Sequence, residues 1–190
     1  MGVTSVFERG SAILYMKVGT HAREKLTDII ARKQKEIDDE GMAMWGYGGN
    51  TCHPRTMVQP FARQYAAAGH PVVLAMQPMD SRHFAEQLRA EEYSVDGELW
   101  RPVPEPINVV GSRYALCIDS LDVVESRLDL SDTQVAVGNS RGKPGNSYVR
   151  GRVDKACLEV TNDQVCPTEA SVRIGLIARL TEPYAVFLRN

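Results

Sequence analysis

Between Ala22 and Gly41 the chain places Ala22, Leu26, Ile29, Ile30 and Ile37 at the spacing of one helix face. Arg23, Lys25, Asp28, Arg32, Lys35, Glu36 and Asp39 occupy the other face, with Arg32 and Glu36 four residues apart and able to pair. Thr20 stands where a helix cap is wanted, and Gly41 where a left-handed residue ends the helix. This pattern predicts a helix over 20–40 and constrains the fold more than any other stretch. A helix apolar on one face must lie on a partner layer, and the flanking runs supply one. Ala12 to Val18 and Met42 to Tyr47 read as strands on either side of it.

A second helix is expected from Thr56 or Gln59, with Pro60 near its start and a stripe of Met57, Phe61, Tyr65 and Ala68. Val72 to Gln77 follows as a strand. After residue 77 helical periodicity fades. Asp96-Gly97 between short β-type runs predicts a hairpin, and Pro102, Pro104 and Pro106 predict a stiff connector. Tyr114–Ile118, Val135–Val137, Val153–Val160, Val172–Leu180 and Tyr184–Leu188 read as strands, and Leu121–Ser131 as an acidic surface loop or short helix. The expected fold class is α+β: a single domain over 1–190, with a mixed or mainly antiparallel sheet and two N-terminal helices packed on it. If the chain divides, the change of pattern puts the division near 78–92.

The chemistry-bearing residues gather in Met44–Pro54, MWGYGGNTCHP, which would join a strand to a helix. Three readings apply. As an anion cradle, Gly46, Gly48 and Gly49 would let backbone amides converge, and the next helix would present its positive end. Asn50 and Thr51 complete that loop, Lys17 and Arg55 would add charge, and Trp45 or Tyr47 would stack on a base. The residues match neither the P-loop nor G-x-G-x-x-G. As a thiol centre, Cys52 would gain reactivity from the helix start, with His53 adjacent and His21 or His83 brought in as base. As a structural turn, the glycines would serve packing alone.

A second stretch carries Arg141, Lys143, Arg150, Arg152 and Lys155 against one acid, Asp154, within fifteen residues. Its arginines would fork onto phosphate oxygens, or they would form a solvated edge. Both stretches suit a phosphate-bearing ligand. The expected function is therefore binding of a nucleotide or another phosphate-bearing ligand, nucleic acid included. The alternatives are an interaction or inhibitor protein acting on a larger complex, and a thiol enzyme using Cys52. No complete triad or nucleotide motif selects an enzymatic activity.

Charge excludes some classes. The formal net charge is −2, which fits neither a histone-like binder nor an acidic mimic of DNA. The four cysteines are widely spaced without C-x-x-C, and Cys52, His53 and His70 lack a recurrent ligand spacing, so no metal and no cofactor is expected. No apolar run approaches the roughly 18 residues of a spanning helix. The first ten residues lack the apolar core of a signal peptide. The expectation is a cytoplasmic protein without membrane partners. Nothing in the residues sets an oligomeric state.

Overall fold

The computed structural model describes residues 7–21, 24–48, 52–83, 88–150, 153–163 and 169–190, with 20–21 and 80–83 described by backbone alone. The elements run β1 (Ala12–His21), α1 (Leu26–Glu40), β2 (Ala43–Gly46), α2 (Arg55–Ala67), β3 (Val72–His83), β4 (Glu92–Ser94), β5 (Arg101–Pro102) and β6 (Tyr114–Asp129). A 3-10 turn (Leu130–Asp132) leads to β7 (Thr133–Val135), then α3 (Gly145–Tyr148), β8 (Lys155–Val160) and β9 (Ser171–Arg189). Strands dominate, which corrects the expected class. The α+β reading rested on two strong helical periods, and it took Leu121–Ser131 for a loop or short helix. That stretch is the second half of β6, paired with β9 from Leu121↔Ala178 to Asp129↔Ser171. The two helices do lie on the sheet, but a mixed sheet of nine strands among the described residues is the body of the fold.

The sheet order is β2-β6-β9-β3-β1-β8-β7, with β4 and β5 attached beside β9. Among the described residues only β1 and β3 pair in parallel, joined by a crossover that contains α1 and α2. From β6 to β7 the order runs five steps, a separation of about 24 Å in a flat sheet. Only Leu130–Asp132 bridges Asp129 to Thr133, a reach of about 14 Å at most. The sheet therefore curls, and its far ends fold over one face. Leu128, Leu130 and Ile174 accordingly meet Ile13, Tyr15, Val135 and Leu158 in one buried cluster. The other face carries the helices: Leu14, Trp45, Leu74, Leu116 and Leu176 pack against Val58, Phe61 and Ala62 of α2. A third cluster, with Met44, Cys117 and Val186, is covered by the 88–110 segment.

Local differences from the sequence expectations have physical causes. Thr20 lies in β1, which extends to His21, so α1 starts at Leu26 with Lys25 at its cap position. Gly41 ends α1 as expected, at φ 79° with its N–H on the Ile37 carbonyl at 2.8 Å. Glu36 was expected on the solvated face, yet it is 2% exposed and Lys33 is 4% exposed. Both Glu36 oxygens lie within reach of the Lys33 ammonium, at 3.0 and 3.3 Å. The Asn108 carbonyl accepts from Lys33 at 2.6 Å and the Asn108 N–H donates to Glu36 at 2.9 Å. This pair pins the proline-rich connector to α1. On α2 the buried residues are Val58, Gln59, Phe61 and Ala62, and Met57 faces outward. The Asp96-Gly97 turn is longer than a two-residue hairpin, since the pairs Glu92↔Pro102 and Tyr93↔Arg101 leave 94–100 as the loop. Asp96 Oδ1 organises it by accepting from the amides of Glu98 and Leu99 and from the Ser94 hydroxyl.

The two strands expected at 172–180 and 184–188 are one, β9, interrupted between Leu180 and Ala185. Tyr184 in that interruption has φ 69°, a left-handed conformation that costs a non-glycine residue about 1–2 kcal/mol.

Candidate functional site

The sequence of β2, glycine loop and α2 is realised as expected, and Gly49, Asn50 and Thr51 lie outside the described residues. The described part of the loop is committed to packing. Both the Tyr47 and Gly48 amides donate to the Tyr114 carbonyl, at 3.2 and 3.1 Å. A Cβ at Gly48 would meet the Tyr114 ring at 2.3 Å, and one at Gly46 would meet Ser112 Oγ at 2.5 Å. These two glycines admit close neighbours, and the loop amides of Tyr47 and Gly48 are already used. Trp45 and Tyr47 are core residues, 6% and 1% exposed, so neither ring offers a face for a base. The Trp45 indole N–H contacts Met16 Sδ at 3.3 Å, and the Tyr47 hydroxyl donates to the Tyr15 carbonyl at 3.1 Å. Burial drives the Tyr47 phenol well above its usual pKa.

The Cys52 thiol donates to the Tyr47 carbonyl at 3.5 Å and lies 3.6 Å from the Tyr114 hydroxyl. That hydroxyl donates to the His53 carbonyl. Tyr114 thus ties β6 to the residues before α2 through two hydroxyl contacts, with Cys52 and with the His53 carbonyl, and burial first, then Cys52, raises its pKa. The His53 imidazole turns to Tyr148. The rings are parallel within 2°, their centroids 5.9 Å apart, and Nε2 lies 3.5 Å from the Tyr148 hydroxyl. Burial lowers the His53 pKa. A Cβ at Gly138 would fall 3.4 Å from the same imidazole and 3.6 Å from Met57 Sδ. The 136–150 segment therefore packs on the N-terminal end of α2.

That contact brings part of the basic stretch to the helix. Arg141, Lys143 and Arg150 are exposed, and the Arg150 Nε donates to the Asn146 carbonyl at 3.0 Å. Arg141 acts on the phenol of Tyr65, which stands near the far end of α2 and not at its start, against the larger effects of burial and Glu159. Arg152 lies outside the described residues, and Lys155 pairs with Asp154 at 3.5 Å. The start of α2 has Pro54 at its cap position, no side-chain cap and no acid in its first turn. Its positive end is thus left without an anionic partner from those positions.

Other expected partners lie elsewhere. Arg55 is spent on structure: Nε donates to the Ala185 carbonyl at 3.1 Å, a terminal nitrogen donates to Val95, and the guanidinium lies 4.7 Å from the Phe187 ring centroid. Lys17 alternates with Met16 and Val18 along β1, so it projects from the face opposite α2, with Tyr15. The His21 and His83 side chains, the two expected bases, lie outside the described set. Cys117 and Cys157 are buried; burial pushes the Cys117 thiol up to about 12 and raises that of Cys157 as well.

Tyr114 and Gly138 escaped sequence reasoning. Tyr114 reads as one more apolar strand residue, and only its pairing partner reveals what its hydroxyl reaches. Tyr148 carried the one usable signal, a lone aromatic among cations. Among the described residues no group of three His, Cys, Asp or Glu side chains is placed to hold a metal, and no helix is long and apolar enough to cross a membrane. No family model, no curated protein and no solved structure matches this chain.

Proposed function

We propose that the protein binds a phosphate-bearing ligand, a nucleotide or nucleic-acid end, at the surface where α2 begins. The observation that carries this reading is the His53–Tyr148 contact, which joins the uncapped start of α2 to the segment bearing Arg141, Lys143 and Arg150. Helix-start amides and forked guanidinium groups are complementary to phosphate oxygens, and the combination is stronger than either alone. The backbone amides of Tyr47 and Gly48 take no part in this version of the site, because the Tyr114 carbonyl already holds them. Recognition falls instead to the first turn of α2 and the exposed cations.

The reading is tested by fluorescence anisotropy with a labelled oligonucleotide and by thermal shift with a nucleotide panel. A ligand that binds only the folded chain raises its melting temperature. Affinity should fall steeply with salt, and Arg141→Ala with Arg150→Ala should flatten that slope. An unchanged affinity and slope in the double variant would remove the basic segment from the site.

A further inference from the structure

One long edge of the sheet is bare. The outer neighbour of β6 is β2, which stops at Ala43↔Ile118, and Gln34 of α1 donates to the Leu121 carbonyl at 3.0 Å. From Asp122 to Asp129, β6 pairs with β9 on one side, and on its other side no strand among the described residues meets it. That is about 25 Å of strand edge, longer than an ordinary strand and a template for another extended chain. Burial sorts the side chains along it. Ser126 and Leu128 are buried, and Val124 packs on the same interior cluster as Leu128. Val123, Glu125 and Arg127 are exposed, Val123 by 68%.

Neither Glu125 nor Arg127 has an ion-pair partner among the described residues. Arg127 instead stands directly opposite Arg173 of β9, also exposed, and like charges so placed are destabilising. We infer that this edge binds a second copy of the chain, strand to strand and antiparallel, about a two-fold axis at Ser126. In such a pair the same edge serves both copies. Outward side chains must meet outward side chains, so the axis passes through a residue and not between two. An axis at Glu125 sets Glu125 against Glu125, and one at Arg127 sets Arg127 against Arg127. An axis at Val124 sets Arg127 against Leu121, whose carbonyl Gln34 already holds. An axis at Ser126 sets Glu125 of each copy against Arg127 of the other, and it gives Arg127 the carboxylate that counters Arg173. Charges on an edge strand ordinarily keep other chains away. These two are of opposite sign and two residues apart, so they complement themselves in that register.

Size-exclusion chromatography with light scattering tests this on the full chain at concentrations up to about 100 μM. A dimer, near twice the 21.1 kDa of one chain, is expected to grow in with concentration. Glu125→Arg alone and Arg127→Glu alone each set like charges opposite one another, and each should weaken dimerisation by about tenfold or more. An equimolar mixture of the two variants restores both ion pairs and should recover the dimer. Both side chains are exposed, and circular dichroism verifies that the variants fold. A wild-type chain that stays monomeric throughout the range overturns the proposal. So do single variants as dimeric as wild type, or a mixture no more dimeric than its components. The phosphate site at the start of α2 is independent of these results.

Discussion

The Tyr148 ring lies parallel to the His53 imidazole, 2° between planes and 5.9 Å between centroids, and with Gly138 against His53 and Met57 it links the 136–150 segment to α2. Removing the ring should loosen that link without touching the sheet. Tyr148→Ala is expected to cost about 1 kcal/mol of stability and to weaken oligonucleotide binding. Tyr148→Phe keeps the ring and should keep most of both. Urea melts and anisotropy titrations on the two variants decide it: equal losses in both would mean the hydroxyl, not the ring, makes the link.

The same imidazole gives a pH dependence. Burial lowers the His53 pKa, so the folded chain disfavours the charged form relative to the unfolded chain. Below about 6.5 the unfolded state takes up a proton that the folded state still refuses, and stability falls as pH drops through that window toward the lowered folded pKa. Above the window no such loss remains. His53→Gln should remove this component of the slope between mildly acidic and neutral pH. Melting temperatures recorded across that range for both proteins supply the check, and parallel curves would show that His53 contributes nothing.

The helices and most strands were legible because each has a local signal: the Ile29, Ile30 and Ile37 spacing, Gly41, and the apolar runs at Ala12, Val72 and Tyr114. The second half of β6 was not legible. Its Asp122 and Glu125 read as a solvated loop because a curling strand pair has one outer face in water, and the buried Asp129 at its end reads the same way. Only the partner strand β9, some fifty residues later, shows that these positions pair. The glycine loop was found, but its use was misread for a similar reason. The sequence displays glycines and cannot display Tyr114, whose carbonyl takes the loop amides and whose ring fills the space beside Gly48. Arg55 likewise looked available, and three contacts from distant elements claim it.

Gly48 makes that competition measurable. An added Cβ would stand 2.3 Å from the Tyr114 ring and 2.9 Å from its backbone nitrogen. The ring cannot swing aside cheaply, because its hydroxyl is held by the His53 carbonyl. Gly48→Ala should therefore cost about 1–3 kcal/mol, the range for overpacking a filled interior. A melting temperature equal to wild type would show that the loop carries slack and that its glycine is dispensable for packing.

The Lys33–Glu36 pair offers the sharpest energetic test, because its two ends are unequally supported. Without Lys33, the Glu36 carboxylate keeps the Asn108 N–H at 2.9 Å and Arg32 at 3.7 Å. Without Glu36, the Lys33 ammonium keeps only the Asn108 carbonyl. Breaking a buried pair typically costs about 3–5 kcal/mol, because a charge is left uncompensated. Glu36→Leu should lie at the upper end of that range and Lys33→Met at the lower. Burial already lowers the Lys33 pKa, against the pull of Glu36, so loss of the carboxylate drives this amine further toward its neutral form. The double variant removes both charges and should be more stable than Glu36→Leu alone. It should still fall short of wild type, because the Asn108 N–H and carbonyl both lose their partners, at about 1–3 kcal/mol for each group left unsatisfied. Urea denaturation of the three variants gives the order directly. A double variant as unstable as the sum of the singles would mean the two side chains act separately, and that the connector is held to α1 by something other than their pairing.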